Sequence, residues 1–327
     1  GFCGLYTPEQ YGGLGLTRQD AAIVFEALAG GCTSTTAYLT IHNMVSWMIG
    51  SFARPEVAAQ WVPQLASGEL LGSYCLTEPG AGSDAANLRT RAERDGEHYI
   101  LNGSKAFISG AGSSDVLVVM ARTGGGGARG ISALLVPADL PGIVYGKKEK
   151  KMGWNSQPTR AITFDNVVVP AANLLGEEGQ GFGFAMKGLD GGRINIASCS
   201  VGTAQAALDA ATRYVQERQQ FGQPLAEFQS VQFRLADMVT ELVAARQMVR
   251  LAAWQLDKGS ADANSMLGDG IQAARSWLEV TLQTPSGDSA LNEDGAVAFF
   301  YEGGNPSVDG KDGRKLMNGS ENIYFRR

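Results

Sequence analysis

The chain has 327 residues, of which 44% are hydrophobic and 18% charged, so it is long enough for two or three domains with cores of their own. Its net charge of −6 argues against the overall positive field of nucleic-acid-binding proteins, and no apolar run approaches the roughly 20 residues of a membrane-spanning helix. The four cysteines and two histidines have no disulfide or metal-ligand spacing, which indicates a reducing compartment and argues against a histidine-based triad or a histidine-rich metal site.

Residues 1–72 carry the signals of helices. Thr17 and Asp20 form a capping-box-like start before an apolar run over residues 21–28, and Gly30-Gly31 is expected to end this helix. A second apolar helix is predicted over about residues 34–52, and a third begins at Pro55, a favourable first-turn residue. Because the sequence opens directly on an apolar segment, we expect this helical domain to be truncated at its start.

Residues 73–175 change to short β-rich runs between turns, at 98–101, 116–120, 131–136 and 161–164. The glycine-rich stretch 123–130 lacks the Lys-Ser/Thr of a phosphate-binding P-loop and is interpreted as a flexible strand connection. From residue 176 the pattern returns to long helices, over about 182–219 and 228–258. This order predicts an α+β protein with a helical domain at 1–72, a middle β domain at 73–175 and a C-terminal helical domain at 176–327, with a ligand between domains.

The run Tyr74–Asp84 begins as a strand and becomes a turn at Pro79-Gly80. Such a turn exposes backbone N–H groups and the hydroxyls of Thr77 and Ser83 without bulky side chains in the way, so a polar ligand edge can approach closely. The alternative interpretation is a plain hairpin turn that binds nothing.

The residue order in this run, Y-C-L-T-E-P-G-A-G-S-D, resembles the flavin-binding signature of the acyl-CoA dehydrogenase family. Residues 102–110 resemble the family's N-G-x-K-x-(W/F)-I-(S/T) element. This resemblance implies that Phe107 packs beside the flavin ring and that Ser109 bonds near its reactive nitrogen.

Residues 218–232 resemble the family's R-x-Q-F-G-x-x-(I/L)-x-x-x-Q element, which in relatives reaches the FAD of a neighbouring subunit. The resemblance implies that Arg218 supplies charge for the pyrophosphate and that Phe221 packs on the adenine portion. Without that resemblance, an arginine at a helix end is more simply a residue that complements the helix dipole.

The resemblance implies a partial N-terminal helical domain, a middle β-barrel-like or sandwich domain and a C-terminal four-helix bundle. It implies FAD as cofactor, an acyl-CoA thioester as substrate, electron transfer flavoprotein as electron acceptor and a homotetramer, with no metal. The implied reaction is α,β-dehydrogenation, in which a carboxylate removes the α-proton while the β-hydrogen leaves as hydride to the flavin. The implied compartment is the mitochondrial matrix in a eukaryote or the cytoplasm in a bacterium.

Residues 153–160 and 188–197 resemble the family members that act on isobutyryl-CoA. 2-Methylbutyryl-CoA and straight short chains remain alternatives. Ser83, Asp190 and Arg193 are the implied substrate-binding residues, and Arg193 is equally well interpreted as an ion-pair residue of its helix. The implied FAD-binding residues are Tyr74, Leu76, Thr77, Gly82, Ser83, Phe107, Ile108, Ser109, Arg218, Phe221, Phe228, Gln229, Gly303, Gly304, Ser320 and Asn322.

The family's catalytic base is a glutamate near the C-terminus, and the resemblance places Asn318 at that position. An amide has no basic site at neutral pH, so Asn318 is unable to take the proton. Glu302 is also followed by a glycine, as the family's base is. The resemblance nevertheless places it just before the double glycine Gly303-Gly304 and not at the position of the base. Three interpretations stay open: the protein is a base-less binding protein, the base lies at another position, or residue 318 is naturally Glu.

Overall fold

The computed structural model describes residues 1–259 and the backbone of two strands, Val297–Phe300 and Ile323–Arg326. The chain divides into two compact units. The first contains Gly1–Thr17, Tyr38–Lys150 and Asn155–Gly192, and the second contains Arg18–Ala37, Lys151–Trp154 and Arg193–Arg327. Helices and strands are mixed, as the α+β prediction requires.

Two α-helices precede the strands, α1 (Arg18–Phe52) and α2 (Pro55–Ser67). The predicted start of α2 at Pro55 is confirmed, and Gly68 ends it with a φ of +83°. The predicted break between two helical segments is confirmed, because the backbone leaves the helical conformation at Cys32, directly after Gly30-Gly31, with a φ of −154° and a ψ of 100°.

Eight strands form one sheet in the first unit, in the order β6-β7-β3-β2-β4-β5-β8, with β1 paired in parallel to β4. Their bounds are Gly72–Cys75 (β1), Arg91–Asp95 (β2), His98–Ser109 (β3), Val116–Arg122 (β4), Ile131–Pro137 (β5), Ile143–Tyr145 (β6), Thr159–Pro170 (β7) and Leu174–Leu175 (β8). All four β-rich runs of the sequence lie within these strands.

The central strands β4 and β5 are buried on both faces. In β4, Val116, Val118 and Met120 pack into one apolar cluster, while Leu117 and Val119 pack into another on the opposite face. This explains why the run 116–120 is apolar throughout, since a strand covered on both sides has no need of polar alternation. The sheet therefore forms a fixed layer in the first unit, and the candidate residues of β1 and β3 are attached to it.

The second unit contains most of α3 (Gly181–Glu217), the short strands β9 (Gln219–Gln220) and β10 (Gln223–Pro224), and α4 (Gln229–Asp257). Its core is formed by small and aliphatic side chains of α3 and α4, with Ala22 of α1. The Asp257 carboxylate accepts backbone N–H bonds from Arg18 (2.8 Å) and Gln19 (3.1 Å), which satisfies two donors of the first turn of α1. Glu26 pairs with Arg246 at 2.6 Å and Arg250 at 3.1 Å.

Strands β11 (Val297–Phe300) and β12 (Ile323–Arg326) form an antiparallel pair inside the region that the sequence predicts as helical. Their aromatic and β-branched residues favour a strand over a helix. Among the helices of the described residues, none has both the length and the hydrophobicity needed to cross a bilayer.

His42 is a buried neutral link between α1, the end of α2 and the start of β1. Its Nε2 lies 2.8 Å from the Leu65 carbonyl oxygen, and its Nδ1 accepts the Gly72 N–H at 3.1 Å. Since a backbone N–H only donates and a carbonyl only accepts, these partners assign the tautomer with the proton on Nε2. Burial lowers the pKa of His42, against the opposing effect of the Leu65 carbonyl.

We therefore expect the free energy of unfolding to fall as the pH is lowered from about 7.5 to 5, because the unfolded chain protonates His42 near pH 6.5 while the folded chain resists it. His42→Gln keeps an acceptor and a donor without titrating, and should flatten this slope. His98, the other histidine of the sequence, is exposed, so His98→Gln should leave it unchanged. Denaturant unfolding at several pH values measures both, and equal slopes in the wild type and His42→Gln would contradict the assignment.

Candidate functional site

The turn that follows β1 is closed by its own backbone. The Glu78 N–H donates to the Ala81 carbonyl at 3.0 Å, and the Ala81 N–H donates back to Glu78 at 3.1 Å, which brackets Pro79-Gly80. A Cβ added at Gly80 or Gly82 would meet nothing within 4 Å, so the space beside this turn is open. The turn thus presents backbone and small side chains to a surface that a ligand can reach.

Phe107 lies in a β-bulge of β3. Lys105 pairs with Ile162 of β7 and Ile108 with Arg160, so β3 has one residue more than its partner over this interval. Phe107 has a φ of +57°, a left-handed conformation that is unusual for an aromatic residue, and its side chain is 55% exposed. Its neighbours Ala106 and Ile108 are buried, so the bulge directs this one aromatic ring outwards.

Backbone and side-chain bonds bring the turn and the bulge together. The Ala106 N–H donates to the Thr77 carbonyl at 2.9 Å, and the Ser73 hydroxyl donates to the Ser109 carbonyl at 2.6 Å. Of the predicted FAD-binding residues, the first unit therefore gathers two groups, listed here as Tyr74, Leu76, Thr77, Gly82 and Ser83 of the turn, and Phe107, Ile108 and Ser109 of the bulge.

Three hydroxyl groups of this cluster have no hydrogen-bond partner among the residues that the structure describes: Thr77, Ser83 and Ser109. Ser83 is exposed, and Thr77 and Ser109 are half-buried. Hydroxyls that the fold does not use are free to bond a polar ligand edge, and Phe107 offers an apolar face beside them. This donor set fits a large planar ring with polar edges, such as a flavin.

A buried ion pair lies directly behind the turn. Lys105 Nζ donates to Glu78 Oε1 at 2.8 Å and to the Leu76 carbonyl at 3.0 Å, and the Lys105 side chain is fully buried. Although burial raises the pKa of Glu78, the Lys105 ammonium and the N–H groups of Thr90 and Arg89 hold it below its usual range. The sequence motifs contain both residues, but they gave no signal that the two side chains meet.

The second unit carries another group of predicted residues on the hairpin of β9 and β10. Phe221 and Gly222 at its tip have φ values of +53° and +82°, and the Phe221 side chain is 95% exposed. Phe228 contacts Phe221 edge to face at a centroid distance of 6.3 Å, and Arg218 and Gln229 are exposed. A solvent-directed aromatic in a costly backbone conformation is typical of a contact surface.

The predicted substrate-binding residues on α3 are Asp190, which is half-buried, and Arg193, which is exposed. In the first unit, a Cβ at Gly188 would lie 3.3 Å from the sulfurs of Met44 and Met48, whereas one at Gly192 would meet only Met44, at 3.8 Å. Gly192 therefore leaves more space than Gly188. Five predicted residues, Gly303, Gly304, Asn318, Ser320 and Asn322, lie outside the described residues.

Within the described residues, no group of three or more His, Cys, Asp or Glu side chains is arranged to hold a metal ion. The free cysteines Cys75 and Cys199 are buried, and burial raises the pKa of each thiol, to about 12 for Cys75. They are therefore poor nucleophiles at neutral pH, which is consistent with a packing role.

Comparison with known proteins matches successive parts of the sequence to three domains of one protein family. The sequence matches the N-terminal domain of acyl-CoA dehydrogenase over residues 1–69, the middle domain over 73–167 and the C-terminal domain over 179–283. A mitochondrial isobutyryl-CoA dehydrogenase of Bos taurus is 57% identical over 263 residues, which are 80% of this chain and 63% of that protein. The chain thus spans less than two thirds of the length of this relative.

The probable acyl-CoA dehydrogenase YngJ of Bacillus subtilis is 44% identical over 260 residues, covering 79% of this chain and 68% of that protein. A solved structure of PigA with FAD and proline is 29% identical, with a TM-score of 0.82 over 86% of this chain and 75% of that chain. Sequence and fold agree along most of the chain. The chain belongs to the acyl-CoA dehydrogenase family.

Proposed function

We propose that this chain is an FAD-dependent acyl-CoA dehydrogenase for short branched acyl chains, with isobutyryl-CoA converted to methacrylyl-CoA as its reaction. The observation that carries the proposal is the cluster in the first unit, where an open glycine turn and the adjoining bulge carry three unused hydroxyls and one outward aromatic. The similarity to bovine isobutyryl-CoA dehydrogenase supports the substrate, and the PigA structure with FAD supports the cofactor.

In this proposal, Phe107 packs against the flavin ring. The hydroxyls of Thr77, Ser83 and Ser109 form hydrogen bonds with the polar edges of the ring and with the adjoining pyrophosphate or substrate. When bound, FAD supplies an acceptor for the β-hydrogen of the substrate. The exposed hairpin with Arg218, Phe221, Phe228 and Gln229 is proposed to contact the FAD of a neighbouring subunit, which requires an oligomer. A homotetramer is the proposed functional form. Electron transfer flavoprotein is the proposed electron acceptor.

Asp190 and Arg193 are proposed to line the acyl-CoA channel, and the greater space at Gly192 than at Gly188 suits a branched acyl group. The proposed domain limits are 1–72, 73–175 and 176–327. The proposed compartment is the mitochondrial matrix in a eukaryotic source and the cytoplasm in a bacterial one. 2-Methylbutyryl-CoA and short straight-chain thioesters are the alternative substrates.

The first test concerns the cofactor. Thr77→Ala removes one unused hydroxyl and should weaken FAD binding by about three- to tenfold, the effect of one lost hydrogen bond. Ser104→Ala is the matched control, because Ser104 is an exposed hydroxyl residue of the neighbouring strand β3 that lies outside the cluster. Titration of the apoprotein with FAD, followed by flavin fluorescence, gives both dissociation constants. Equal constants for Thr77→Ala and Ser104→Ala would contradict the proposed role of Thr77.

The second test concerns the base. Anaerobic mixing of the FAD-loaded chain with isobutyryl-CoA should bleach the visible absorption of the flavin. If residue 318 is Asn and no other base exists, bleaching is slow, and Asn318→Glu should accelerate it by about 10²–10⁴-fold, the usual contribution of a general base. Mass mapping of residues 264–327 establishes which residue occupies position 318.

The outcomes separate the three interpretations of position 318. Fast bleaching by a chain with a proven Asn318 means that the base lies elsewhere, and fast bleaching with Glu at 318 means that the family base is present. Acyl-CoA binding without bleaching, in a chain with Asn318, would instead support a base-less FAD- and acyl-CoA-binding protein with a structural role.

A further inference from the structure

The Lys105–Glu78 pair connects three segments of the first unit. Lys105 belongs to β3 and lies two residues before Phe107, while Glu78 belongs to the turn that carries Thr77 and Ser83. The Glu78 carboxylate also accepts the backbone N–H groups of Arg89 at 2.6 Å and Thr90 at 2.9 Å, just before β2. The pair is thus the meeting point of the turn, the bulge and the start of β2.

Hydrogen bonds from Lys105 and its neighbour Ala106 hold the turn on both sides of Thr77 and at Thr77 itself. The Lys105 ammonium bonds both the Leu76 carbonyl and Glu78 Oε1, so it holds the backbone on one side of Thr77 and the side chain on the other. The Ala106 N–H adds a bond to Thr77 itself. Together these bonds leave the turn little freedom to slide along β3.

Folding stability alone does not account for such a pair. Removing two charges from water costs several kcal/mol, and well-packed apolar residues of similar volume often stabilise a protein as well or better. What a buried, hydrogen-bonded ion pair adds is a defined relative position, because each bond is satisfied in one arrangement only. The pair lies directly behind the hydroxyls and the aromatic ring that the proposed function uses.

We propose that Lys105 and Glu78 are positioning residues of the flavin site, which hold the Thr77–Ser83 turn and the Phe107 bulge at the separation that one flavin ring requires. This inference rests on the proposed function and adds two buried residues to the flavin site. Neither side chain touches the ligand in this scheme, because the Lys105 side chain has no exposed surface and that of Glu78 only 6%. Their effect on the flavin is exerted through Thr77 and Phe107.

The test uses two variants of the full chain. Lys105→Met removes the ammonium with little change in volume, and leaves Glu78 as a buried, uncompensated charge. The double variant Lys105→Met/Glu78→Gln removes that charge as well, so it should regain most of the lost thermal stability. If the pair positions the site, both variants should bind FAD at least tenfold more weakly than the wild type, with an altered visible circular dichroism of the bound flavin.

Tyr99→Phe is the matched control, because Tyr99 is a fully buried residue of the same strand whose hydroxyl donates to a carboxylate, Glu178, at 2.5 Å. It should lower the melting temperature while leaving the FAD dissociation constant within twofold of wild type. Two results would overturn the positioning role and leave the proposed function intact. One is an FAD affinity that recovers together with stability in the double variant, and the other is an FAD affinity that is unchanged in Lys105→Met. A wild-type chain that binds no FAD overturns the proposed function and this inference with it.

Discussion

The extra residue of β3 between Lys105 and Ile108 decides which side chains form the candidate site. In a regular strand, side chains alternate between faces, so a buried Lys105 would place Phe107 on the buried face as well. The bulge shifts this register, and Phe107 points outwards while Ile108 returns to the core. The left-handed conformation of Phe107 is unfavourable by itself, and the sheet on either side of the bulge maintains it.

The rest of the first unit provides the rigidity that this arrangement needs. β4 and β5 are covered on both faces, and β1 and β3 are attached to them through paired strands. On this layer the turn after β1 stays open, because its glycines carry no side chain and its backbone bonds are satisfied internally. A rigid sheet with an open turn at its surface is a suitable support for a large planar cofactor.

Much of the fold could be predicted from the sequence, because its signals are local. Pro55 at the start of α2, the apolar runs of β4 and β5, and the strand that leads into Pro79-Gly80 are each specified within a few residues. The family motifs, in turn, predict that Phe107 and Thr77 belong to the same flavin site. The features that could not be predicted depend on distant partners: the left-handed Phe107, and the meeting of Lys105 with Glu78 across 27 residues.

The bond between Asp257 and the first turn of α1 has a consequence for how the protein is made. Arg18 and Gln19 leave the ribosome before their carboxylate partner, which follows 239 and 238 residues later. At about 5–20 residues per second, synthesis separates the two by roughly ten to fifty seconds. During that interval the N–H groups of Arg18 and Gln19 lack the Asp257 carboxylate. The second unit, built from the beginning and the end of the described chain, is completed only after the central sheet has had time to fold.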